Sequence, residues 1–162
     1  MLASGAILGV VAGLILGRDW RRLAAAHLRW IPLLLIGLIV RGVAPFLPSL
    51  AFALYIFALA STTAVAAANV RLAGAVLVAI GGALNLAVVL LNGGMPVDPA
   101  ALAAVGAAMP VDALHVTLGD ATRLSVLADV IALPVLRSVY SVGDFCIAVG
   151  GFLVPFVLLL RR

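Results

Sequence analysis

The 162-residue chain is 66% apolar and 10% charged, with a mean hydropathy of +1.34; soluble domains are about half apolar, so water is excluded as its main solvent. The formal charge of +4 comes from ten basic and six acidic residues, all of them Arg and Asp, and the arginines sit in short connections beside apolar runs rather than along one polar face, which excludes nucleic acid as a partner. A single cysteine, Cys146, excludes an internal disulfide and a cysteine-rich metal site.

The first apolar run, 2–17, reaches about 24 Å as a helix, short against a hydrocarbon core of about 30 Å. No positive segment precedes it and Arg18, Arg21 and Arg22 follow it, so it reads as a retained helix rather than a secretory signal. Gly5, Gly9, Gly13 and Gly17 recur every fourth position. That spacing places them on one stripe where a second backbone approaches closely, inside the bundle or in a second copy of the chain.

A second span is expected over 30–47, opened by Pro32 and closed by Pro45 and Pro48. Arg41 is its one charge, and an ionised side chain at such depth is read as a site for an anionic headgroup or an ion pair with Asp129 or Asp144, against the alternative of snorkelling to the interface. The run 50–91 is too long for one crossing of about 20 residues. Its polar break at Asn69, Val70 and Arg71 divides it into spans 50–70 and 72–91. Asn85 and Asn92 share a face of the fourth span, and Asn92-Gly93-Gly94 reads as a left-handed helix stop. The last span is 145–160.

The chain is therefore expected to be all-α: one membrane domain over 1–162 with about five spans. Arg18, Arg21, Arg22, Arg29, Arg71, Arg161 and Arg162 fall on one side, which the positive-inside bias makes cytoplasmic. The N-terminus is then outside and the C-terminus inside, in a bacterial cytoplasmic membrane, and Trp20 and Trp30 flank the first inner loop at headgroup level.

The segment 92–142 holds most of the acidic residues and is expected to form short helices on the outer interface. One begins at Asp98-Pro99 and runs to about Ala108. Another starts at Asp120 or Thr122, with Leu124, Leu127, Val130 and Ile131 as an apolar stripe ended by Pro134. His115, with Asp112, Asp120, Asp129 and Asp144, is the candidate acid-base or metal cluster; the spacing fits no ligand signature, and Asp98, Asp112 and Asp120 as caps and Ser141 with Asp144 as a capping box are the structural alternatives. Neither a metal nor a cofactor is expected.

The motifs Asn92-Gly-Gly-Met-Pro-Val97, His115, Asp120-Ala-Thr122-Arg123-Leu124, Asp129, Pro134 and Ser141-Val-Gly-Asp144 resemble an uncharacterised bacterial family of multi-spanning membrane proteins, a domain of unknown function. The resemblance implies that Asn92, His115, Thr122, Arg123, Asp129, Ser141 and Asp144 belong to one folded outer feature, and it carries no catalytic role. The leading expectation is a non-enzymatic bundle whose outer side binds a lipid-like molecule or a membrane-protein partner. A lipid or isoprenoid enzyme using His115 or Asp129 with Arg41 is the alternative. A small transporter drawing on Ser61, Thr62 and Thr63 is third.

Overall fold

The computed structural model describes residues 2–17, 19–24, 26–110 and 112–160. Arg18, Arg161 and Arg162, expected at the cytoplasmic side, lie outside the described residues.

Three helices are long and apolar enough to cross a membrane: α4 (Ala51–Ala68), α5 (Ala75–Asn92) and α7 (Val142–Leu160). Two shorter apolar helices join them, α1 (Leu2–Ile15) and α3 (Ile31–Val43), the latter continued by a 3-10 turn over Ala44–Phe46. A single turn, α2 (Arg21–Ala24), links α1 to α3. Local chemistry sets the ends. Pro32 occupies the first turn of α3, where its missing N–H costs nothing. Gly93 ends α5 at φ 70°, returning its N–H to the Val89 carbonyl, a left-handed step that glycine takes without Cβ strain.

The helices form an open arc in the order α3, α4, α5, α7, α1, and glycine sets each close crossing. Gly5, Gly9 and Gly13 face Ala148, Phe152 and Leu159 in turn, so α1 runs parallel to α7. Leu2 lies against Gly151, midway along α7. The described first helix thus packs on α7 from Ala148 to Leu159 and is shorter than the expected 2–17. Gly74 faces Gly150 and Gly81 faces Gly143, which makes α5 and α7 antiparallel. Gly82 meets Thr63, and Gly37 meets Ser61. Apolar side chains outside these seams, such as Ile7, Leu8, Ile39 and Leu90, point away from the protein. That arrangement suits a lipid solvent, where every backbone group is satisfied inside its own helix.

One end of the arc gathers arginine. Arg22 donates to the Leu159 carbonyl at the end of α7 (3.3 Å), the Arg29 backbone is held by Asn69 at the end of α4, and Arg71 lies in the turn between α4 and α5. The other end carries a cap, residues 93–141. The cap is not the set of helices the sequence suggested, and the fold is mostly helical with two small sheets rather than all-α. Strand β1 (Met95–Val97) pairs in parallel with β2 (His115–Thr117). On its other side β1 bridges Asp129, whose N–H donates to Pro96 and whose carbonyl accepts from Asp98 (both 2.9 Å). Strands β3 (Ile131–Leu133) and β4 (Ser138–Tyr140) form an antiparallel hairpin around Pro134–Leu136.

The helix expected from Asp120 or Thr122 to Pro134 is therefore absent among the described residues. Leu124 is left-handed at φ 55° and Ala128 is extended, leaving only a 3-10 turn over Ser125–Leu127. Val130 and Ile131 are β-branched and suit the extended chain that follows. The one α-helix among the described residues of the cap, α6 (Pro99–Ala104), is capped by Asp98 as expected (Ala100 N–H to Oδ1, 2.9 Å). It stops short of Ala108 because Gly106 turns left-handed at φ 65° and Ala107 N–H returns to Leu102 (3.0 Å).

Candidate functional site

The cap meets the bundle on a buried apolar layer of Val88, Val89 and Met95, with Phe52, Tyr55, Ile56 and Leu127 packed around it. Beside that layer sits a polar knot. Ser141 precedes α7 and is fully buried, and Asn85 on α5 is 4% exposed. The Ser141 hydroxyl donates to Asn85 Oδ1 (3.1 Å) and accepts from the Asp144 N–H (3.0 Å), while Asp144 Oδ2 accepts from the Ser141 N–H (3.2 Å). This is a capping box. Asn85 closes it by donating from Nδ2 to Asp144 Oδ1 (3.2 Å). Gly143 makes the geometry attainable, since any Cβ there would collide with Asn85 Oδ1.

Asp129 enters from the cap. It is 7% exposed, and its Oδ1 has no hydrogen-bond partner. Burial first, then the charge of Asp144 and a hydrogen bond shared with it, push the Asp129 carboxyl up to about 7. Arg41 does not form the expected ion pair with Asp129 or Asp144. Its guanidinium stacks on the Tyr55 ring (5.1 Å to the centroid), and among the described residues it has no carboxylate within salt-bridge range. A cation over an aromatic face is stabilised without a counter-ion.

The other polar residues hold the cap together at separate points. Asn92 grips the Arg123 backbone from both sides, accepting from its N–H (2.9 Å) and donating to its carbonyl (3.0 Å). Thr122 accepts from the Gly119 N–H (2.9 Å). His115 Nδ1 contacts Asp112 (2.9 Å), and Asp112 also accepts from the N–H groups of Leu114 and His115. Burial acts to raise the Asp112 carboxyl, but these hydrogen bonds and the imidazole outweigh it and hold the group below the usual carboxylate range. His115 and Asp129 lie on opposite edges of β1, about two strand spacings or roughly 10 Å apart in backbone, and they share no hydrogen bond. Among the described residues no group of three or more His, Cys, Asp or Glu side chains is placed to hold a metal ion.

A second feature lies at the arginine-rich end. A cavity of about 350 Å³ opens between α1, α3, α4, α5 and α7, walled by Leu34, Leu38, Val65, Val78, Val154 and Leu158. Among the described residues two polar side chains reach its edge, and both are already engaged: Thr62 donates to Ala58 (3.0 Å), and Asn69 donates to Arg29 and Val65 and accepts from Arg29. Ser61 is buried and the Thr63 hydroxyl bonds Leu59 of its own helix (2.7 Å). The hydroxyl groups of Thr62 and Thr63 thus face back onto the α4 backbone.

Residues 22–156 match a family of unknown function, DUF5317. The chain belongs to that family. No curated protein and no solved structure matches it. The DUF5317 region contains Arg41, Tyr55, Asn85, Asn92, His115, Asp129, Ser141 and Asp144, together with the α3, α4 and α5 walls of the cavity. The glycine stripe of α1 and the cavity residues Leu2, Ala3 and Ala6 precede it.

Sequence reasoning missed Tyr55 and the second role of Asn69. Tyr55 sits in an apolar run with nothing to single it out, while Asn69 reads only as a break between spans. Its position four residues after Val65 was the available signal, because that is the helical return distance of a side-chain amide.

Proposed function

We propose that this DUF5317 protein is a multi-pass membrane protein that takes one hydrocarbon chain of a lipid into the crevice between α1 and α3. The five apolar helices sit in the bilayer as a bundle, with the arginine-rich end facing the cytoplasm by the positive-inside bias. The cavity carries the reading. Its volume of about 350 Å³ falls in the range of ligand sites, and at about 30 Å³ per water-sized heavy atom it holds roughly a dozen of them. Ordered water needs two to four polar partners, and Thr62 and Asn69, the polar residues at the wall, have theirs in the protein. Hydrocarbon is the filler that asks for none. The non-enzymatic expectation is kept, with the binding region moved from the capped end to the arginine-rich end.

An enzyme built on His115, Asp129 and Arg41 has less support, since each of the three has a different neighbour: Asp112, Asp144 and Tyr55.

The test is extraction into native-membrane discs, followed by mass spectrometry of the retained lipids. The wild-type protein should enrich one lipid class over the bulk membrane, and Leu34→Trp or Leu38→Trp, which fill the crevice from α3, should abolish the enrichment while the protein stays folded. A lipid profile equal to the bulk in wild type and both variants would refute the proposal.

A further inference from the structure

Three stretches of chain close the arginine-rich end of the crevice, and each sets an arginine beside a residue of the wall. Leu23 follows Arg22, Leu28 precedes Arg29, and Leu72 follows Arg71. Their duties differ. Arg22 donates to the Leu159 carbonyl at the end of α7 (3.3 Å), where a helix favours a cation. Arg29 and Arg71 are exposed, and among the described residues neither has a carboxylate within salt-bridge range. Asn69 brings these two to one place. It is 7% exposed and lines the crevice. Its side chain clamps the Arg29 backbone, Oδ1 accepting from the N–H and Nδ2 donating to the carbonyl (both 2.9 Å). Its own carbonyl accepts from the Leu72 N–H (2.8 Å), closing the turn that holds Arg71. Arg71 is two residues from Asn69, at most about 7 Å of chain, so two guanidinium groups are rooted around one buried amide at the mouth. Trp30, next to Arg29, is 53% exposed, and an exposed tryptophan at the start of an apolar helix suits the headgroup level.

An apolar wall that ends at two guanidinium groups without a carboxylate fits an occupant that is oily along its length and anionic at its head. We propose that the lipid held in the crevice carries an anionic phosphate headgroup, bound at the mouth by Arg29 and Arg71, a step that rests on the crevice taking a hydrocarbon chain. Guanidinium presents paired N–H groups that fit phosphate oxygens, and the cytoplasmic leaflet is the anionic one. A zwitterionic lipid also has a phosphate, but its ammonium group brings a positive charge to the same arginines. Selection is therefore for net negative charge.

The experiment uses the full chain in nanodiscs of equal parts phosphatidylglycerol and phosphatidylethanolamine with identical acyl chains, and native mass spectrometry counts the lipids that stay bound on release. The wild-type protein should retain phosphatidylglycerol over phosphatidylethanolamine. Arg29→Gln and Arg71→Gln should each lower that ratio by about fivefold. Arg29→Gln leaves the clamp in place, because Asn69 bonds the backbone of that residue. Arg21→Gln removes the same charge from the same end, where the Asp19 carboxylate already accepts the Arg21 N–H (2.9 Å), and should leave the ratio unchanged. Inorganic phosphate at matched ionic strength should not displace the lipid. Equal retention of the two lipids in wild type, a ratio that Arg29→Gln and Arg71→Gln do not move, an equal fall in all three variants, or displacement by inorganic phosphate would each overturn the headgroup assignment and leave the crevice reading standing. No retained lipid, or retention that Leu38→Trp does not reduce, would overturn both.

Discussion

Removing the Ser141 hydroxyl tests whether the polar knot at the start of α7 sits in dry protein. In Ser141→Ala the Asn85 Oδ1 loses its donor at 3.1 Å and the Asp144 N–H loses its acceptor at 3.0 Å, and neither can turn elsewhere, because Asn85 Nδ2 is committed to Asp144 Oδ1. A buried polar group left without a partner costs about 1–3 kcal/mol. Ser141 and Asn85 are almost fully buried while Asp144 is half-buried, so the second loss falls toward the low end and the sum is about 2–4 kcal/mol. Reversible unfolding in mixed detergent micelles, or steric trapping in bicelles, measures it. The same assay on Asn85→Leu and on the double variant should give a coupling of about 1–2 kcal/mol, as expected for residues in direct contact. A Ser141→Ala effect below about 0.5 kcal/mol, the size of an ordinary surface change, would refute the argument by showing that water replaces the hydroxyl.

The other tests concern the helix seams and the cap. Gly81→Leu brings a Cβ against the Gly143 carbonyl and within 2.8 Å of the Cys146 Cβ, so it should destabilise the bundle by about 1–3 kcal/mol or more. Gly42→Leu, with nothing within 4 Å, should stay within about 0.5 kcal/mol in the same unfolding assay. In the cap, the lowered Asp112 carboxyl contributes order that is fully present above its unfolded value of 3.8 and is lost as pH falls through the lower folded value. Hydrogen exchange at Leu114 and His115 should therefore accelerate on acidification below about pH 4, and Asp112→Asn should remove most of that dependence.

What could be read from the chain was whatever depends on neighbours within a helical turn. Asp98 as a cap, Asn92-Gly93-Gly94 as a stop and Ser141 with Asp144 as a box are all settled by backbone N–H groups bonded to partners two to four residues away. The apolar runs and the arginine asymmetry are equally local, being set by the solvent around each segment. The false helix over 122–134 shows the limit of periodicity: Leu124, Leu127, Val130 and Ile131 repeat at helical spacing, but the Asp129 backbone gains two hydrogen bonds by bordering β1, and that partner is remote in sequence.

Tertiary structure alone decided the rest. Asn85 meets Asp144 across 59 positions and Ser141 across 56, and Asn92 holds Arg123 across 31. No composition or spacing encodes such pairs, because they exist only once the glycine seams have brought α5 against α7 and the cap over both. The fate of Arg41 was decided in the same way: the sequence specifies that a charge inside an apolar helix must be stabilised, and only packing reveals a Tyr55 ring where a carboxylate was expected. The crevice between α1 and α3 is likewise a property of the arc, arising because α1 packs on α7 and leaves the face of α3 uncovered. Sequence thus determined the apolar helices and their caps, through local hydropathy and hydrogen bonding; packing determined which polar groups share a site, through contacts between segments far apart in the chain.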